Sequence, residues 1–97
     1  VGPVWQGGGA GEADLLAACY RSALALARQR GLASVAFPSI STGVYGYPIE
    51  RAAPVALGTV RACTTEGAGI ALVRFVCFSA FDLAVYRRLL GSEWTPA

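Results

Sequence analysis

At 97 residues, with 55% hydrophobic and only 14% charged residues, the chain is one small domain with apolar mass enough for a core. Its eight cations are all arginines, dispersed from Arg21 to Arg88 with a net charge of +2, so no dense basic stripe points to nucleic acid. Three cysteines without a Cys-x-x-Cys pair, and no histidine, exclude zinc-finger spacing and Ser-His or Cys-His nucleophiles within these residues; the absence of lysine excludes a Walker A loop.

No apolar run reaches the roughly 18 residues of a membrane span, and no basic stretch precedes an apolar core, so the chain reads as soluble and cytoplasmic. The arginine-only cation set, with abundant Ala and Gly, indicates a coding sequence of high GC content and a bacterial source. So much apolar surface with so little charge needs covering, which makes self-association one expectation.

Val1 to Trp5 reads as a strand end, and Gln6 to Gly11 as a flexible linker. Its glycines miss the Gly-x-Gly-x-x-Gly spacing of a dinucleotide loop. A first helix is predicted from about Glu12 to Arg30, with Leu16, Cys19, Ala23, Leu26 and Ala27 as its apolar stripe and Gly31 as its stop. Glu12 and Asp14 fall in its first turn, where the dipole favours them, and read as helix-end charges rather than a catalytic pair. Ala33 to Phe37 is a short apolar strand. A second helix follows Pro48, with Ile49, Ala53, Ala56, Leu57 and Val60 on one face; Pro54 should kink it or delay its start. Ile70 to Phe78, a continuous apolar run broken only by Arg74, reads as a strand covered on both faces. Ser79 then caps a last helix ending near Gly91, and Ser92 to Ala97 form a tail. Cys19 and Cys77 read as ordinary buried thiols. The alternation of strands and helices argues for an α/β fold.

Between the second predicted strand and the second helix lies Pro38-Ser39-Ile40-Ser41-Thr42-Gly43-Val44-Tyr45-Gly46-Tyr47-Pro48. A loop leaving the carboxyl end of a strand and opening a helix can bind an anion, because unpaired N–H groups and the helix dipole point the same way. Gly43 and Gly46 let a ligand approach the main chain, and the Ser41 and Thr42 hydroxyls add donors. Phosphate is the natural guest, although a Gly/Ser turn without a ligand has the same local signature.

The ordered string Ile40 to Pro48 resembles the second phosphate-binding loop of the macro domain family, the ADP-ribose-binding modules. Val1-Gly2-Pro3-Val4-Trp5 resembles that family's Val-Gly-Pro strand, Gly11-Glu12 to Tyr20 its helix opening, and Phe75 to Ser79 its last strand and following turn. The resemblance implies a three-layer α/β/α sandwich with a mixed sheet, of which residues 1–91 would be the C-terminal portion and 92–97 a tail. The N-terminal strands and the first phosphate-loop region would lie outside this chain. Their Asn-Ala-Ala-Asn-like motif and acid-bearing Gly-rich loop have no counterpart here, since there is no Asn and both aspartates, Asp14 and Asp82, fall on predicted helices.

The resemblance further implies that Ser41, Thr42, Gly43, Val44, Tyr45 and Gly46 bind the phosphates and distal ribose of ADP-ribose or O-acetyl-ADP-ribose, with Tyr45 against the ribose. Phe78 would stack on adenine, or else be a core residue; Tyr47 reads as packing at the loop base. An ADP-ribosylated protein is a further implied partner, and the implied role is hydrolysis of ADP-ribosyl esters or deacetylation of O-acetyl-ADP-ribose by the parent protein, with a non-catalytic ADP-ribose reader, or a fragment that self-associates and binds nothing tightly, as the alternatives. No metal or cofactor is expected. The catalytic residue stays unassigned: Glu50 is the nearest acid, in the first turn of a helix, and these residues alone are expected to lack hydrolase activity.

Overall fold

The computed structural model describes residues 2–42, 45–64, 69–77 and 79–91. The order is α1 (Glu12–Gln29), β1 (Ser34–Pro38), α2 (Ile49–Cys63), β2 (Leu72–Val76) and α3 (Ala80–Leu90). The α/β expectation holds. β1 and β2 pair in parallel, Ser34 opposite Leu72 and Pro38 opposite Val76, and α2 is the crossover between them.

α2 carries the core. Small side chains, Ala52, Ala53 and Ala56, let it fit between its two neighbours. One side, with Ala52, Ala56 and Val60, packs on Leu16, Tyr20 and Leu24 of α1 and on Phe37. Its other side, with Ile49, Ala53 and Leu57, meets Val85 and Tyr86 of α3. The predicted α2 face is therefore buried, and the helix begins at Ile49 with Pro48 as its N-cap. Pro54 lies inside the helix without delaying its start; it is exposed, so the Glu50 carbonyl it leaves unbonded can turn to water.

Two predicted patterns are corrected. On α1 the buried set is Glu12, Leu16, Tyr20, Leu24 and Ala27, whereas Leu26 is half exposed and Cys19 and Ala23 are only partly covered. The stripe follows i, i+4 steps through Tyr20, whose ring packs edge-on to Phe37 at 4.8 Å while its phenol finds polar partners. The last strand is shorter than Ile70 to Phe78, and the described residues cover one of its faces: Val73 and Phe75 turn to the helices, whereas Leu72, Arg74 and Val76 are exposed. Phe78 lies outside the described residues, as does the tail.

Other boundaries agree with the sequence. α1 ends at Gln29, two residues before Gly31, and α3 ends at Leu90 with Gly91 as its C-cap. Ser79 Oγ accepts from the Asp82 N–H at 3.2 Å, the expected capping bond. Residues 2–5 form no strand; Pro3 has no N–H to give, and the Trp5 N–H donates to the Tyr45 carbonyl at 2.9 Å instead of entering a ladder. An apolar groove of about 790 Å³ runs between this arm, α1 and β1, lined by Pro3, Leu15, Cys19, Ala23, Val35 and Phe37 among others. Among the described residues β2 is the only strand paired with β1.

Candidate functional site

The segment after β1 is shaped by local hydrogen bonds and by three elements packed around it. Thr42 folds back on Ser39, giving its N–H at 3.4 Å and its hydroxyl at 3.0 Å to the Ser39 carbonyl. The Tyr47 N–H then closes the loop on the Ser41 carbonyl at 2.9 Å. Among the described residues of the loop, Gly46 with φ 74° and Ser41 with φ 67° take the left-handed region. Gly46 takes that angle without strain, whereas Ser41 is held there by its surroundings.

Those surroundings are specific. From below, the Tyr20 phenol is hydrogen-bonded to the Ile40 backbone and to the Tyr86 phenol, so α1 and α3 both support the loop base. Burial raises the Tyr20 and Tyr86 phenols above their ordinary range, which keeps this pair neutral. From the side, Gly2 lies against Ser41 and Ile40 so closely that a Cβ on it would collide with Ser41 Oγ and Ile40 Cγ2. Trp5 bonds Tyr45 through its N–H and packs its ring on Tyr47, centroids 4.7 Å apart, with the Arg51 guanidinium 5.3 Å over the indole. Tyr47 is 3% exposed, which fits its reading as a packing residue.

The hydroxyls do not point where the sequence reading puts them. Thr42 Oγ1 is committed to Ser39, and Ser41 Oγ is buried beneath Gly2 without a hydrogen-bond partner. The main chain is different: the N–H groups of Ser41, Tyr45 and Gly46 find no acceptor among the described residues. Gly43 and Val44 lie outside them, so of the expected site residues the structure brings Ser41, Thr42, Tyr45 and Gly46 together. Glu50 is exposed in the first turn of α2. Among the described residues no group of three or more His, Cys, Asp or Glu could hold a metal ion, and no helix is long and apolar enough to cross a membrane.

Sequence reasoning misses Glu12. It is 1% exposed, and its carboxylate gathers the backbone before it: Oε2 accepts the N–H of Gln6 at 2.8 Å and of Gly8 at 2.9 Å, and Oε1 that of Ala10 at 2.7 Å. The Gln6 and Gly8 bonds, outweighing burial, bring its pKa down to about 2. Residues 6–11 are therefore an ordered loop wound on one side chain, not a linker. The signal was an acid directly after a run of glycines, whose close-packed N–H groups suit an anion.

The same elements occur in proteins of known family. The macro domain model matches residues 1–56. This chain belongs to the macro domain family. A macro domain-containing protein of Chlorobaculum tepidum is 54% identical over 92 residues, covering 95% of this chain and 54% of that protein. An O-acetyl-ADP-ribose deacetylase of Klebsiella pneumoniae is 52% identical, covering 95% and 53% respectively. The chain thus spans about half the length of the curated relatives it matches. Among solved structures, the Oceanobacillus iheyensis macrodomain with ADP superposes with a TM-score of 0.87 at 45% identity, covering 96% of this chain and 48% of that one. The Trypanosoma brucei macrodomain in complex with ADP-ribose does so at 0.83 and 39% identity, covering 94% and 38%. The macro fold accounts for the strand-loop-helix setting of Ser39 to Pro48.

Proposed function

We propose that this chain contributes the diphosphate-binding loop of a site for ADP-ribose or a derivative such as O-acetyl-ADP-ribose, and that residues 1–91 are the C-terminal portion of one macro domain. The observation that carries this reading is that the main-chain N–H groups of Ser41, Tyr45 and Gly46 meet no acceptor among the described residues, while the Thr42 hydroxyl is spent on Ser39 and that of Ser41 is buried. Fixed amide dipoles hold a diphosphate without a lysine or a metal. Tyr45 would lie along the distal ribose, Gly43 and Val44 would complete the amide cradle, and Phe78 would stack on adenine. Macrodomain structures with ADP and ADP-ribose support the ligand class.

The deacetylase relative supports ester hydrolysis by the full-length protein. In that reaction this chain binds and orients the substrate, and the group that activates water comes from outside the described residues. An ADP-ribosylated protein, presenting the same ADP-ribose moiety, is a further partner on this reading. The test is calorimetry with ADP-ribose on the full-length protein and on Gly43→Glu, which places bulk and negative charge against the diphosphate. Affinity should fall by about a hundredfold, roughly 2.7 kcal/mol; unchanged affinity in a folded variant removes the loop from the site. Product from O-acetyl-ADP-ribose, followed by mass spectrometry, separates an enzyme from a non-catalytic reader.

A second reading concerns the 97-residue chain alone, and the bare face of its sheet favours it. Leu72 and Val76 are 45% and 55% exposed beside Ala36 and Pro38, and self-association would cover them. Light scattering on the eluting chain should then report dimers or larger species. A monomer that binds ADP-ribose rules this out.

A further inference from the structure

Glu12 is sealed from solvent at 1% exposure, and its hydrogen-bond partners are N–H groups of the segment just before it. That segment is the outer wall of the ligand loop. Gly8 packs so near the Trp5 ring and the Arg51 guanidinium that a Cβ on it would stand 3.1 Å from each. Trp5 holds the Tyr45 carbonyl and the Tyr47 ring, and Gly2 lies over Ser41 and Ile40. A line of contacts therefore runs from the carboxylate, through residues 8 to 2, to Ser41 at one left-handed corner of the loop and to Tyr45 and Tyr47 on either side of the other, Gly46.

We propose that Glu12 is a positioning residue for the ligand loop, holding the arm so that Trp5 fixes Tyr45 to Tyr47 in the binding conformation. Its consequence for affinity rests on the ADP-ribose reading, whereas its hold on Trp5 is a property of the chain itself. The chemistry requires a carboxylate. Two acceptor oxygens take three N–H groups, and an ionised acceptor makes each bond stronger and shorter than a neutral one. Glutamine offers one oxygen and one NH2, so at least one backbone N–H would face another donor. The loop would then open, and the Trp5 to Tyr45 bond would lose its support.

The experiment uses Trp5 as its own reporter. Trp5 and Trp94 are the two tryptophans of these 97 residues, so in this chain Trp94→Phe leaves a single indole. In that background Glu12→Gln should keep the helical circular dichroism but raise acrylamide quenching of Trp5 about twofold, as expected where a packed indole is released. In the full-length protein the same substitution should weaken ADP-ribose binding by about tenfold, the size expected for freeing groups that a charged acceptor had held. Glu12→Asp, which keeps the charge on a shorter stem, should fall between and serves if the glutamine variant does not fold.

Leu24→Ala is the control for a merely structural role, since Leu24 is fully buried on α1 about three helical turns beyond Glu12. It should lower the melting temperature while leaving quenching and affinity per folded molecule within about twofold. Unchanged quenching in folded Glu12→Gln overturns the proposal, as does released Trp5 with unchanged affinity, or an equal effect of Leu24→Ala. Absence of ADP-ribose binding by the wild-type protein would defeat the functional reading instead, and the quenching comparison would still decide whether Glu12 holds Trp5.

Discussion

The two faces of the β1–β2 pair are built differently. Toward the helices, Phe37 and Phe75 stack at 6.4 Å and continue into Tyr20 at 4.8 Å and Tyr86 at 4.9 Å, whose phenols bond each other. Apolar bulk and polar ends are both satisfied there. Toward the opposite side, Ala36, Pro38, Leu72, Arg74 and Val76 are exposed, and the edge of β1 opens into a groove. The loop from Ser39 to Pro48 stands at the border between them. What the contrast teaches is that the helix side suffices to shape the loop, whereas a cleft around it needs a second wall.

The largest expected effect probes that contrast directly. Leu16→Ala, at a site of 0% exposure, should cost about 2–5 kcal/mol and lower the denaturant midpoint accordingly, whereas Val76→Ala should stay within about 0.5 kcal/mol. Equal costs would mean that the bare face is covered in solution, and a light-scattering mass would show by what. Next comes Gly2→Ala. Its Cβ would collide with Ser41 and Ile40, and such overpacking costs about 1–3 kcal/mol, here at the loop rather than in the helical core. Its ADP-ribose affinity should fall more than its melting temperature indicates.

Acid titration sharpens the same border. Glu12 ionises at about 2 in the folded chain against an ordinary 4.5, so its stabilisation is complete above about 4.5 and is lost as pH falls toward 2. Thermal melts from pH 5 to pH 2 should show a downward slope that is shallower in Glu12→Gln; parallel slopes would detach the carboxylate from those backbone bonds. The smallest effect is expected at Ser79→Ala, which removes the cap of α3 for about 1 kcal/mol, measured by thermal melting, without touching ligand affinity.

Much of the helix side was legible because local rules decide it. The Ser79 cap, the Gly31 and Gly91 stops and the α2 face all follow from periodicity and end chemistry within a few residues. Tyr20 was not, because a phenol enters a core only when distant residues, here Ile40 and Tyr86, supply hydrogen bonds. The last strand shows a related limit: a continuous apolar run says that both faces are fit for burial, and among the described residues only the helix-facing one is covered. At the site, the motif located the loop, but the hydroxyls expected as donors turned inward. Glu12 escaped notice because the first turn of a helix already gives an acid a sufficient local reason to be there.

On the proposed function, the main-chain amides of Ser41, Tyr45 and Gly46, which meet no acceptor among the described residues, receive the diphosphate. Backbone amide shifts of the full-length protein, recorded by NMR while ADP-ribose is added, test it most directly. The account predicts that the largest perturbations fall on Ser41, Tyr45 and Gly46, with little change at Leu72, Arg74 and Val76. Saturable binding that leaves the amides of Ser41, Tyr45 and Gly46 unmoved, with its shifts centred on β2 or on α3, would contradict it.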